Sequence, residues 1–113
     1  MIYLFEKDVG LPLCAYKDNN YINLFTGEII TEPNKLEFME KYLKSKKIYK
    51  QEAKVEIMKL KDTKNNEIIG YAYVINDIFY FLDTDLKLFD RKSYEFINGK
   101  LANDKYMLET VWK

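Results

Sequence analysis

The chain contains no histidine, one cysteine (Cys14), two serines (Ser45 and Ser93) and one arginine (Arg91). Each scarcity narrows the chemistry. Proton transfer near neutral pH most often uses histidine, nucleophilic catalysis needs a Ser, Thr or Cys beside a base, and bidentate phosphate recognition favours arginine. No catalytic residue and no cofactor are therefore expected. A lone cysteine cannot close an internal disulfide, and without histidine it cannot supply a structural zinc site within one chain. The glycines (Gly10, Gly27, Gly70 and Gly99) are scattered singly, which leaves no phosphate-binding loop and no dinucleotide fingerprint. No apolar run approaches the roughly 20 residues of a membrane helix. The longest runs, Ile68 to Ile75 and Ile78 to Leu82, are separated by Asn76-Asp77, so no membrane span is expected. The first residues carry neither a basic leader nor a long apolar stretch, which leads to the expectation of a reduced, cytoplasmic protein.

Aromatic residues are plentiful: ten Tyr, seven Phe and one Trp among 113 residues. With 48% hydrophobic residues the chain can build a core without staples, and its length predicts one compact domain over residues 1–113. Eighteen basic residues balance 18 acidic ones, so no global field draws the protein to nucleic acid. The joint abundance of Lys, Asn, Ile, Tyr and Phe is what AT-rich coding produces, and it fits a low-GC bacterium, phage or plasmid.

Short β-type runs, Ile2 to Phe5, Leu11 to Tyr16 and Tyr21 to Phe25, alternate with turn signals at Asp18-Asn19-Asn20 and Thr26-Gly27. A helix is predicted at about 34–48, started by Pro33 and an Asn34/Glu37 capping box, with Leu36, Met39 and Leu43 on its apolar side. From Ala53 the pattern becomes an antiparallel meander. A two-residue loop at Asn65-Asn66 would set Leu60 by Tyr71, Met58 by Tyr73 and Ile57 by Val74. A loop at Asn76-Asp77 would set Ile75 by Ile78, Tyr73 by Tyr80 and Ala72 by Phe81. Leu86 to Phe89 and Tyr94 to Ile97 read as further strands before an Asn98-Gly99 turn, while Asn103 to Trp112 fits a strand or a short capped helix. No repeat of useful length is visible. The fold class expected is α+β: a mainly antiparallel sheet of five or more strands, with one principal helix at about 34–48 packed on one face.

Both faces of the predicted meander are apolar, and a single helix covers only one. The other must be covered by the chain's own ends or by a second molecule. Tyrosine-rich surface is typical of interfaces. Tyr71, Tyr73 and Tyr80, on one predicted face, with Trp112 as a further anchor, are therefore the candidate partner-binding residues, and core packing is the competing explanation for each. The leading functional expectation is a non-enzymatic protein-binding module, of the kind phages and mobile elements encode as inhibitors of host proteins (anti-CRISPR or other anti-defence factors, antitoxins, immunity proteins). The alternative is a nucleic-acid accessory protein using the Lys41 to Lys64 region with Tyr42 and Tyr49, Lys44, Lys46, Lys47, Lys50 and Tyr49 being its candidate contacts. A metal enzyme built on Asp83 and Asp85 and plain homo-oligomerisation are weaker readings. Asp83-Thr84-Asp85 reads first as a polar turn, and no metal ligand is assigned. Cys14, in an apolar run, reads as a buried structural thiol.

Overall fold

The computed structural model describes residues 1–113 and divides them into two compact units, Met1–Ala53 and Lys54–Lys113. In the first unit, strands β1 (Ile2–Glu6), β2 (Pro12–Lys17) and β3 (Asn20–Ile22) precede helix α1 (Pro33–Lys44) and strand β4 (Ile48–Glu52). The strands form an antiparallel sheet in the order β3-β2-β1-β4. Asp18 and Asn19, both at positive φ, make the two-residue loop between β2 and β3, where the matching twist of a primed turn suits short polar residues. A bulge sets Leu4 opposite Cys14 but Phe5 opposite Pro12, which leaves Leu13 without a ladder partner. Leu4, Cys14, Met39 and Ile48 form the core, flanked by Tyr16, Tyr21, Ile30, Tyr42 and Leu43.

Helix α1 ends four residues earlier than the sequence suggests. The Lys46 N–H donates to the Leu43 carbonyl and the Lys47 N–H to the Tyr42 carbonyl, the paired bonds of a Schellman stop. The left-handed residue in this stop is Lys46 (φ 61°) where glycine is usual, so the sequence carries no stop signal. The predicted capping box is also absent: Glu32 is the N-cap, without a side-chain cap bond, and Pro33 opens the helix. The released residues Ile48–Glu52 form β4, a strand the sequence reading missed, paired along β1.

The second unit holds β5 (Val55–Asp62), β6 (Ile68–Ile75), β7 (Ile78–Asp83), helix α2 (Arg91–Ala102) and β8 (Tyr106–Trp112), with sheet order β7-β6-β5-β8. The α+β class with mainly antiparallel sheets is therefore correct, but there are two sheets and two helices. Helix α2 replaces the predicted strand at Tyr94 to Ile97 and the predicted turn at Asn98-Gly99, both of which lie inside it. Asp90 caps it by accepting the Ser93 N–H at 2.8 Å. Burial of Ile97, with Tyr94 and Leu101 alongside, against Met58, Leu60, Ala72 and Phe81 outweighs the roughly 1 kcal/mol that a mid-helix glycine costs.

The β5–β6 register also differs from expectation. The loop spans Thr63 to Asn66, because the Asp62 carboxylate accepts the Lys64 N–H (2.8 Å) and the Asn65 side chain accepts the Glu67 N–H (3.0 Å). Glu67 then pairs with Asp62, whose N–H it receives at 2.9 Å. The four-residue loop alone shifts the pairing by two, with Lys61 opposite Ile68, and a bulge between Leu60 and Lys61 takes one back, setting Leu60 opposite Gly70, Met58 opposite Ala72 and Ile57 opposite Tyr73, one residue from the expected register. A one-residue slip exchanges faces. Met58 and Leu60 therefore join Gly70, Ala72, Val74 and Phe81 on the α2 side, whereas Val55 and Ile57 join Tyr71, Tyr73, Ile75, Tyr80 and Leu82. The β6–β7 pairing at Asn76-Asp77 is as predicted.

The two units share one topology: a three-stranded meander, a twelve-residue helix and a final strand that pairs with the first. Both helices end in the same stop, with Asp104 (φ 58°) in the place of Lys46. The helices start at Pro33 and Arg91. Aligned on them, Glu37 matches Glu95, Phe38 matches Phe96, Met39 matches Ile97, Leu43 matches Leu101 and Lys47 matches Lys105. The chain thus contains an architectural repeat that the sequence reading did not detect, because so few identities survive.

Candidate functional site

The four predicted partner-binding residues do share a sheet face. Ladder pairing runs Trp112–Ile57–Tyr73–Tyr80 across β8, β5, β6 and β7, with Tyr71 one rung away beside Leu82. The centre of that face is withdrawn from solvent, however: Tyr73 is 3% exposed and Ile57 fully buried. Burial pushes the Tyr73 phenol up to about 12, a small further push coming from Tyr71. Tyr73 is thus a core residue and offers no surface, whereas Tyr71, Tyr80 and Trp112 are half-buried.

The lysine region is also divided. Lys44, Lys46 and Lys47 lie at the α1 stop, with the Lys47 ammonium 5.4 Å from the Tyr42 ring centre, and Lys50 lies 3.8 Å over Tyr16. Tyr49 alternates to the opposite face of β4 and stacks on Phe5 at 5.8 Å. Tyr49 therefore does not share a face of β4 with Lys50, whereas Tyr42 does lie beside Lys47.

Two other sequence features have structural roles. Cys14 is fully buried, and desolvation pushes its thiol up to about 12, far from a reactive thiolate. The Asp83 carboxylate accepts the N–H groups of Asp85 (2.9 Å) and Lys87 (3.0 Å), which bends the chain through Leu86 at φ 62°. Asp83-Thr84-Asp85 is therefore a turn, with Asp83 committed to backbone amides. No cluster of three or more His, Cys, Asp or Glu side chains that could hold a metal is present, and no helix is long and apolar enough to cross a membrane.

The surface best suited to binding lies at the edge strand β7. Its later rungs are closed by the chain itself: the Phe81 N–H donates to the Tyr94 hydroxyl (2.9 Å), the Phe81 carbonyl accepts the Phe89 N–H (2.9 Å), and the Asp83 N–H donates to the Lys87 carbonyl (2.8 Å). Leu82 forms an isolated bridge with Leu88. Outward-facing backbone groups recur every second residue, so Phe79 is the next outward position towards the hairpin turn. Its N–H and carbonyl are turned to solvent. Beside it lies a cavity of about 430 Å³ lined by Phe79, Tyr80, Leu88, Phe89, Arg91 and Tyr94. Ile78, Phe79 and Leu88 are 57%, 48% and 45% exposed. The wall is held in place, because the Tyr94 ring meets Phe81 edge-on at 5.1 Å while its hydroxyl binds the β7 backbone.

Of these residues only Tyr80 was a sequence candidate. Phe79, Leu88 and Arg91 were missed because Leu86 to Phe89 reads as an ordinary strand and helix α2 was not predicted. One signal was present: Arg91, the only arginine, opens a helix whose first turn contains no acidic residue, against the preference set by the helix dipole. Comparison of the chain with protein-family models, with curated proteins and with solved structures finds no match.

Proposed function

We propose that this chain is a protein-binding module that carries out no chemistry of its own and engages its partner through the apolar ledge at β7. The observation that supports this reading is the clustering of exposed Phe79 and Leu88 around a cavity with a rigid aromatic wall. Large apolar side chains grouped on a surface carry a solvation cost that an interface relieves, and aromatic anchors in preformed pockets dominate binding energy. An inhibitor of a host protein, such as an anti-defence factor or an antitoxin, is the form of this role that suits a small scaffold with an adhesive edge. That refinement rests on analogy with such proteins.

The test is affinity capture from a low-GC bacterial lysate at two salt concentrations, with and without nuclease, using the native chain and a Phe79→Ser/Leu88→Ser double variant. The expected outcome is a defined protein complex that survives salt and nuclease and is lost with the double variant, whose fold is checked by circular dichroism. Recovery only of nuclease-sensitive, salt-sensitive material would overturn the reading in favour of phosphate contacts by the lysines. Sedimentation at several concentrations separates a heterotypic binder from self-association.

A further inference from the structure

The repeated architecture makes the β7 edge interpretable, because the first unit contains the same edge in a filled state. In that unit the first outward residue after the primed turn is Tyr21, and its carbonyl accepts the Ile30 N–H at 2.8 Å. The adjoining rung is closed by the Asn23 N–H on the Glu28 carbonyl (2.8 Å), with a bridge between Ile22 and Ile29. The segment Glu28-Ile29-Ile30 therefore pairs with the outer edge of β3 from its first outward residue, taking up the Tyr21 carbonyl. In the second unit the primed turn is Asn76-Asp77, both at positive φ. The first outward residue is Phe79, yet closure by the chain begins only at Phe81, because the segment leaves the edge at Asp90 to cap α2. Strand β7 is thus one rung longer than its own cover. The rung that Ile30 closes in the first unit stands open in the second, directly over the apolar cavity.

Arg91 lines that cavity, and its guanidinium has neither an ion pair nor a ring contact. The nearest acid in sequence, Asp90, is committed to the Ser93 N–H. A cation at the positive end of a helix is at a local disadvantage, which an arriving carboxylate reverses. An apolar wall, an unpaired backbone donor and acceptor, and an unpaired guanidinium thus meet at one place.

The geometry points to a specific occupant: an extended segment of a partner protein that adds one rung to β7 at Phe79, places an apolar side chain in the cavity and sets a carboxylate on Arg91. This inference rests on the protein-binding reading above and adds the recognition chemistry. Strand addition supplies backbone bonds and leaves alternate side chains to pockets, and the fork of arginine suits a carboxylate. The chain's own cover in the first unit has this composition, two isoleucines and a threonine between two glutamates. A second copy pairing β7 to β7 fits less well, since it would bring two unpaired Arg91 side chains to one seam.

The probe is the blocked peptide Glu-Ile-Ile-Thr-Glu, titrated into the full-length ¹⁵N-labelled protein and followed by NMR. Saturable shifts confined to Phe79, Tyr80 and Leu88 to Arg91 are expected, with half-saturation below about 1 mM. Arg91→Glu should weaken binding roughly tenfold or more, and a peptide with lysine in place of both glutamates should bind that variant better than the native chain. Retained spectral dispersion establishes that the variant is folded. Absence of saturation at about 5 mM, shifts mapping elsewhere, or equal binding by Arg91→Glu overturns the proposal, as does a concentration-dependent mass that Arg91→Glu alters. Failure here and failure of the broader reading differ in the lysate capture. If the Arg91→Glu chain still recovers the partner, the module binds protein but not by this edge.

Discussion

Gly70 shows how much a single residue carries. It lies opposite Leu60 on one side and Asp83 on the other, and a Cβ built on it would overlap the Leu82 carbonyl oxygen. The obstacle is backbone of the neighbouring strand and cannot rotate away. Gly70→Ala is expected to destabilise the protein by about 1–3 kcal/mol, the range for overpacking a well-filled site. Urea unfolding followed by circular dichroism checks this. Nothing in the sequence around Gly70 announced the role, since an isolated glycine in an apolar run reads equally as tolerance or as need. Cys14 was legible by contrast, because an apolar neighbourhood without a base or a cation predicts a buried inert thiol, and the structure buries it fully.

At the scale of the element, the turns at Asp18-Asn19 and Asn76-Asp77 were legible, whereas the loop at Asn65-Asn66, lengthened to four residues by the Asp62 and Asn65 side chains, and the helix ends were not. Asp18-Asn19 and Asn76-Asp77 both form primed turns, because short polar side chains tolerate positive φ and the twist matches the strands they join. The ends of α1 and α2 rest instead on Lys46 and Asp104 held left-handed by tertiary context. A lysine there bears a conformational cost that glycine does not. Lys46→Gly should therefore stabilise the protein by about 0.5–1 kcal/mol, read as a raised denaturation midpoint. An unchanged or lowered midpoint would show that the Lys46 side chain contributes more than its backbone costs. Helix α2 escaped prediction for a related reason. Tyr94, Ile97 and Leu101 have helical spacing, but Asn98-Gly99 between them gives the strongest hairpin signal in the segment, and only packing against Leu60 and Phe81 decides between the two.

For the whole molecule, the missing histidine becomes a statement about pH. No side-chain type present has a reference pKa between the carboxylates and cysteine. Below that gap, the Lys61 ammonium, hydrogen-bonded at 2.7 Å, holds the Glu109 carboxyl below its usual value, and the Ser93 backbone N–H does the same for Asp90. A depressed folded pKa means that this stability is present above the ordinary carboxylate range and is lost as pH falls through the folded values. Above the gap, burial raises Cys14 from 9.0 and Tyr73 from 10.0, each to about 12. A raised folded pKa means that the unfolded chain releases those protons first, so stability falls as pH rises from about 9 towards 12. Chemical denaturation at fixed temperature should show a plateau from about pH 5 to 9 with losses on both sides. A maximum or step near pH 6–7 would contradict this account.

The sequence by itself determined the α+β class, the antiparallel pairing of β6 with β7, the inert thiol and the scarcity of catalytic reagents. These follow from local chemistry: residue type, period-two alternation and turn preference act over a few positions. Tertiary structure alone decided the β5 register, the existence of α2 and β4, the repeat, and the open rung at Phe79. Each of these depends on which of two locally acceptable conformations buries more apolar surface, and that balance is set by partners distant in the chain. The candidate edge belongs to this second group. It exists because β7 extends one rung beyond the segment that covers it, a difference between two strands that cannot be seen in either strand alone.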